Sequence, residues 1–501
     1  MRKFILLSFM FVFSLGAFCS SAEPDDEIRE EMRSDSIKKI VSEIDLPVIY
    51  INTVDSVEPT YTKISHPEGC VGESITDNEY VMGSMIIMKG TTVVYESGEY
   101  EKKKSGMRLK VRGNTSSDFP YKSYKIKTEK KTDLLNRGEK KYESKSWVLL
   151  NIYSSRDLRT VVGRYVAKQM GMEWEPEHQF VNLILNGEYR GLYMLSESIQ
   201  SSEGRCKLED ESGLLIECDP YWWKEILKEP VIKTEHLPYA MGYTFKHPEP
   251  IEGDTLLVEL GSYLNAFEDS LYNNKDVTQY IDLESFATWI LTHDLIGTSD
   301  GVGSNIYLTK DSFFDGEERY DSKLKMGPLW DFDSLFETPG EWCTCHDLNF
   351  FYYQELFKRP EFLNVYKKLW EEVRDDITEN TISYIKDYIE EYGEAIDQSR
   401  RVSPPDSWVW RKTINDNLKE IEDWFYDRVP WMDMMIYDMV PTTAMQIEKQ
   451  YVLDYVTIYT TDGNLYRRIK GNTANYKLPS GIYIIQETYS DGSKITKKYV
   501  R

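Results

Sequence analysis

Thr298-Ser299-Asp300-Gly301-Val302-Gly303-Ser304-Asn305-Ile306-Tyr307, followed by Gly327-Pro328-Leu329-Trp330-Asp331-Phe332-Asp333, is the stretch on which the reading of this chain turns. Asn305 stands five positions after Asp300, and a second aspartate, Asp331, precedes an aromatic and a further aspartate, Asp333. These groups suit phosphoryl transfer, where a carboxylate accepts a hydroxyl proton while oxygen ligands hold a divalent cation against phosphates. Taken alone, Asp300 and Asn305 would equally cap turns around Gly301 and Gly303, and Asp331 with Asp333 would suit structural calcium. The surrounding chain has to decide.

Upstream, residues 44–200 read as strands with one inserted helix. Leu46 to Ile51 is a β-branched run, and Lys89-Gly90 separates two apolar segments as a hairpin turn. Met107, Leu109 and Val111 alternate with Arg108, Lys110 and Arg112, so one strand face is apolar and the other basic; Tyr124 and Ile126 do the same against Lys125 and Lys127. The spacing of Leu158, Val162, Tyr165 and Val166 predicts a helix capped by Ser154 or Ser155 and ended by Gly171. Asn186-Gly187 predicts a second hairpin. From about residue 255 the pattern is helical, over 256–271, 283–295, 354–377, 382–399 and 412–437, and after 450 it reverts to short strands.

Composition bounds the function. The length of 501 residues predicts roughly two to four domains. With 84 Asp plus Glu against 60 Lys plus Arg, the net charge of −24 argues against a general nucleic-acid binder, which needs basic surface. Arg2-Lys3, the apolar run from Phe4 to Phe18 and the small residues Ser20-Ser21-Ala22 read as a secretory signal peptide over 1–22, with a charged linker over 23–43. Later segments lack the about 20 uninterrupted apolar residues of a membrane span. Cys70, Cys206, Cys218, Cys343 and Cys345 leave an odd number after cleavage; Cys206 and Cys218 could close a small loop. Cys343-Thr344-Cys345-His346 lacks the second ligand pair of a zinc site.

The landmarks resemble the CotH family of spore-coat-protein-H-like atypical protein kinases over roughly residues 44–440. They are Leu46-Pro47-Val48, Ile75 to Tyr80, Val111-Arg112-Gly113-Asn114-Thr115-Ser116 and Tyr121 to Ile126. Arg156-Asp157-Leu158-Arg159, Asn186 to Tyr193 with Glu197, the two stretches quoted first, and Arg428 with Trp431 complete the set. The resemblance implies an α+β, two-lobed protein-kinase-like fold, with a strand-rich N-lobe (44–200) and a mainly helical C-lobe (201–440). It makes Asp300 the catalytic base, as the aspartate of a kinase catalytic loop is, and Asn305 and Asp331 metal ligands, with Asp333 offering a second carboxylate. Lys122 and Lys125 compete for the phosphate-binding lysine, Arg112 is a phosphate contact, and Glu197 orients a lysine or touches the nucleotide. Residues 441–501 resemble a type IX secretion sorting domain, a small all-β unit carried by Val456 to Tyr459, Asp462-Gly463, Leu478 to Ile484 and Lys497 to Val500.

The function these resemblances imply is an exported or cell-surface enzyme of Bacteroidota type that passes the periplasm. It would transfer the γ-phosphoryl group of ATP, with Mg²⁺ or Mn²⁺, to Ser or Thr hydroxyls of a protein, a basic one by charge steering. The C-terminal unit would associate with the surface or the secretion machinery, and no nucleic acid is expected as partner. Two alternatives compete: a non-catalytic scaffold on a degenerate kinase-like fold, and a nucleotidyl transferase that uses the same groups and releases pyrophosphate.

Overall fold

The computed structural model describes residues 34–152, 157–225, 231–238, 240–249, 255–298, 303–314, 316–337, 345, 350–405, 412–439, 453–470, 478–489 and 494–500. The chain divides into two compact units, 1–439 and 440–501.

The first unit begins with helix α1 (Ser34–Glu43) and then the strands β1 (Val48–Thr53), β2 (Thr62–Ser65), β3 (Glu73–Thr76), β4 (Val81–Lys89), β5 (Thr92–Glu96), β6 (Met107–Arg112), β7 (Ser123–Thr132) and β8 (Ser144–Asn151). Helix α2 (Asp157–Gln169) precedes β9 (His178–Leu185) and β10 (Glu188–Glu197). All but β2 and β3 form one eight-stranded sheet in the order β1-β9-β10-β8-β7-β6-β4-β5. Because β1 pairs β4 as well as β9, the sheet closes on itself and leaves β5 hanging from β4. The strand-rich part expected over 44–200 is therefore a closed barrel. Alternation explains its filling: Ile49, Ile51, Leu109, Val111, Ile126, Trp147 and Leu149 point inward and are buried. Each aliphatic chain closed off from water this way contributes about 1.5–3 kcal/mol. Asn186 and Gly187 both take positive φ in the β9–β10 turn, as a two-residue hairpin needs.

A second sheet was not legible in the sequence, which read residues 201–440 as mainly helical. It is formed by β11 (Leu214–Asp219), β12 (Gly242–His247), β13 (Ile306–Lys310) and β14 (Lys325–Met326), in the order β12-β11-β13-β14. Its Leu215 and Tyr307, with Trp330, pack against Val148 on the barrel's outer face. The site lies between these two walls.

Helices α3 (Trp222–Glu225), α4 (Thr255–Tyr272), α5 (Leu283–Ile296), α6 (Tyr353–Phe357), α7 (Pro360–Val373), α8 (Ile377–Val402) and α9 (Ile414–Met439) complete the unit. α5 is capped at its start by the Asp282 carboxylate, which accepts from Ser285 N at 2.8 Å, and at its end by Gly297 in the left-handed region. The single helix expected over 354–377 is broken at Pro360. Proline cannot donate its N–H, and it pushes Arg359 into an extended conformation, φ −98° and ψ 120°. Among the described residues no helix is long and apolar enough to cross a membrane. Cys70, Cys206 and Cys218 are buried thiols, and Cys206 and Cys218 form no disulfide.

The second unit is a four-stranded antiparallel sheet of β15 (Leu453–Thr460), β16 (Leu465–Lys470), β17 (Ile482–Tyr489) and β18 (Lys494–Val500), in the order β16-β15-β17-β18. Val456, Ile458, Leu478, Tyr483 and Ile485 form its core.

Candidate active site

The basic wall of the site is the outer face of β6 and β7. Since Leu109 and Val111 point into the barrel, Lys110 and Arg112 must point out, and Lys125 lies directly across from Lys110. Burial first, then Lys127, Lys110, Arg112 and Lys246, push the Lys125 ammonium down to about 8. Among the described residues the Lys125 ammonium makes no ion pair and no hydrogen bond, which leaves its charge for a ligand. Burial also lowers Arg112, while the Asp331 carboxylate, Tyr307 and Glu217 work the other way. The Arg112 guanidinium lies over the Trp330 ring, 5.6 Å from its centroid.

Facing it, β11 supplies Glu217, opposite Tyr307 on β13 and Thr244 on β12. Burial would raise the Glu217 carboxyl, but Lys246 at 2.6 Å and the Tyr307 hydroxyl overcome it and hold the group below its usual range. Asp219, two residues on, goes the other way, pushed up to about 7 by burial and by Glu217. The sequence reading missed Glu217; its signal is a carboxylate in the middle of the apolar run Leu214-Leu215-Ile216 and Cys218.

The acidic end joins two segments distant in the chain. Asn305 precedes β13 and Asp331 follows β14, and Asn305 Nδ2 donates to Asp331 Oδ2 at 3.3 Å and to Ser304 Oγ at 2.9 Å. Both residues have positive φ, 58° and 68°, a conformation non-glycine residues seldom take and one that marks sites held by their surroundings. Those surroundings can be named. Glu175 accepts from Leu329 N at 3.0 Å, and Phe332 is buried against Gly163 of α2. Arg159 donates to the Asp333 carbonyl at 2.9 Å and to Glu337 and Glu420 at 3.0 and 3.1 Å. Phe336 N and Glu337 N donate to the carbonyls of Ile296 and Gly297, and Thr298 bonds Ser334 at 2.8 Å. Arg428 reaches the Asp294 carbonyl near the end of α5 at 3.0 Å.

The other sequence candidates lie elsewhere. The Asp333 side chain is exposed beyond Phe332. Lys122 stops short of β7, and its ammonium donates to the carbonyls of Ser117 at 2.9 Å and Phe119 at 2.5 Å. Glu197 faces Trp147 across β8, whereas Lys125 faces Val148, so strand parity puts Glu197 on the opposite side of the sheet from Lys125. There it pairs with Arg137 at 2.7 Å and Arg205 at 3.3 Å. Asp300 lies outside the described residues, as do Ser154, Ser155 and Cys343.

The donor set fits a hard cation. Among the described residues no group of three or more His, Cys, Asp or Glu side chains could hold a metal ion by itself. One carboxylate and one amide oxygen suit Mg²⁺, which completes its shell with phosphate oxygens and water.

Residues 109–432 match the family described as CotH kinase protein, more than half of the chain. The chain belongs to the CotH kinase family. The match spans the basic wall from Leu109, the Asn305–Asp331 pair and Arg428, so the residues described above lie within the CotH region. No curated protein matches the chain.

Proposed function

We propose that this CotH-family chain is an atypical protein kinase that binds ATP with Mg²⁺ or Mn²⁺ between the barrel wall and the second sheet. The observation that carries the reading is the Asn305–Asp331 contact, with Arg112 close enough to feel the Asp331 charge and Lys125 close enough to feel that of Arg112. Two cations face the phosphates, and two oxygen donors sit where the metal that neutralises them would be held. Lysine supplies a compact point charge for phosphate, and arginine a planar fork. Asp300 takes the proton of the acceptor hydroxyl as its oxygen bonds to the γ-phosphorus and the bond to ADP breaks. The barrel is the small lobe and the helices the large lobe of a kinase-like arrangement. The acceptor is a Ser or Thr of a protein, one of basic character given the net charge of −24. Residues 1–22 direct export, and the C-terminal unit serves surface attachment or sorting.

Titration of the purified protein with Mg-ATP tests the binding half. The expected result is a rise in melting temperature that grows with nucleotide concentration and is lost in Asp331→Ala and Lys125→Met. No shift at millimolar nucleotide would overturn the reading.

A further inference from the structure

We propose that the cavity between the end of α2 and the β7–β8 connection binds a heteroaromatic base of purine type, which meets the Glu175 carboxyl edge-on beside the rings of Trp174 and Tyr142. The site lies outside the phosphate contacts assigned to Arg112 and Lys125; where the base is that of ATP itself, the inference rests on the nucleotide reading.

The cavity holds about 360 Å³, the size of a small-ligand pocket. Trp174, Tyr142 and Met172 line it and are half-buried, so each keeps surface for a flat, apolar ring. Its charged groups are already matched. Lys168 pairs with Glu177, and Glu173 with Lys325 at 2.8 Å. Arg137, whose guanidinium lies 3.9 Å from the Tyr142 ring centroid, pairs with Glu197 at 2.7 Å. A ligand here is therefore uncharged where it meets the wall, which separates it from a phosphate or a carboxylate. Glu175 supplies the polar contact. It is 2% exposed and lines the cavity; its Oε1 accepts from Leu329 N at 3.0 Å, and among the described residues Oε2 has no hydrogen-bond partner. Burial lifts this carboxyl to about 8 against Leu329 N, Arg164 and Lys168, with Glu177 adding to the rise, so it is protonated at neutral pH. Arg164 gives its Nη2 to Ser196 Oγ, at 2.8 Å. With Oε1 occupied as an acceptor the proton belongs on Oε2, and a buried donor without a partner is costly. A ring nitrogen of a purine is a neutral acceptor carried on a flat body. Such a base has two sources. Trp174 packs against the cluster of Val148, Tyr307 and Trp330. Val148 stands opposite Lys125, and the Trp330 ring lies beneath Arg112, so the base of bound ATP is one source. A free nucleoside is the other.

Calorimetric titration of the full chain with adenosine, and with ribose as its base-free twin, tests the site. The expected result is binding of adenosine and not of ribose. It should be weakened about tenfold in Glu175→Met and in Tyr142→Ala and kept in Glu175→Gln, whose amide still accepts from Leu329 N and donates from its other end. Melting scans show which variants are folded; Tyr142→Ala, on a short 3-10 turn at the rim, decides the matter where Glu175→Met does not fold. Displacement of adenosine by Mg-ATP assigns the site to the base of the phosphoryl donor. Undiminished adenosine binding to protein saturated with a non-hydrolysable ATP analogue assigns it to a separate nucleoside. No adenosine binding at millimolar concentration, equal binding of ribose, or wild-type affinity in both Glu175→Met and Tyr142→Ala would overturn the proposal. If Mg-ATP does not bind at all, the kinase reading fails on its own, and adenosine titrated into the nucleotide-free protein still decides the cavity.

Discussion

Half-buried Lys125 and buried Glu175 are two ionisable groups whose surroundings favour the neutral form, and each leads to a pH experiment. Lys125 is a cation below about 8 and neutral above it. An anion bound at higher pH must therefore recruit a proton, and Mg-ATP affinity should fall by up to about tenfold per pH unit above that value. Lys125→Arg, whose charge does not titrate in this range, should flatten the profile; an identical slope in both proteins would place the anion elsewhere. Burial lifts the Glu175 carboxyl from 4.5 to about 8, against the opposing pull of Leu329 N and Arg164. The folded state thus holds a proton that the unfolded chain has released, so stability declines as pH rises from about 4.5 through 8. Glu175→Gln keeps an acceptor for Leu329 N and cannot titrate. Melting scans from pH 5 to 9 should show a smaller fall for the variant. At this scale the sequence singled out Asp331 and Asn305 by their order along the chain, and the fold sets the two side chains in contact. It could not choose between Lys122 and Lys125, since both are lysines beside the same strand. What separates them is that Lys125 lies within the ladder with a fixed outward parity, whereas Lys122 precedes it and bonds to loop carbonyls.

Among the elements, α2 does most to hold the Asp331 segment. A Cβ added at Gly163 would stand 2.2 Å from the Phe332 ring, so the aromatic next to Asp331 occupies the space that only a glycine leaves. Gly163→Ala should destabilise the protein by about 1–3 kcal/mol, as overpacking of cores does. The change should appear as a lower denaturation midpoint with an unchanged slope. The same variant should weaken Mg-ATP binding, because Phe332 cannot shift without moving Asp331. Full affinity at reduced stability would separate the packing from the site. Arg159, one of the landmark residues, ties the Asp333 carbonyl, Glu337 and Glu420 together in the fold. Its partners lie 174, 178 and 261 residues away, a reach that local sequence pattern does not carry. The same limit hid the second sheet. Its four strands are drawn from residues 214 to 326, and β14 has only two residues, too few to alternate. The break at Pro360, by contrast, was written in the sequence, where the apolar spacing on both sides of the proline masked it.

Across the whole molecule, closure of the barrel decides which side chains of β6 and β7 face outward, toward the second sheet. It depends on β1 pairing β4 antiparallel and β9 parallel. Alternation in β6 and β7 foretold the basic face but could not reveal that the apolar face turns inward on itself. The unit ending at Met439 has its own core, separate from that of the C-terminal sheet. A chain truncated after Met439 should therefore fold and keep its nucleotide-dependent melting shift, while insolubility or loss of that shift would mean that the two units depend on each other. Transfer of the γ-phosphoryl group reports on the joint work of the basic wall and the Asn305–Asp331 pair. The full chain is incubated with γ-labelled ATP, Mg²⁺ or Mn²⁺, and a basic serine-containing acceptor, beside Asp300→Ala and Asp331→Ala. The expected products are labelled acceptor and ADP in equal amounts, both abolished in each variant while the variants remain folded. Release of pyrophosphate instead of ADP, or unchanged transfer in the Asp331→Ala protein, would contradict the kinase reading.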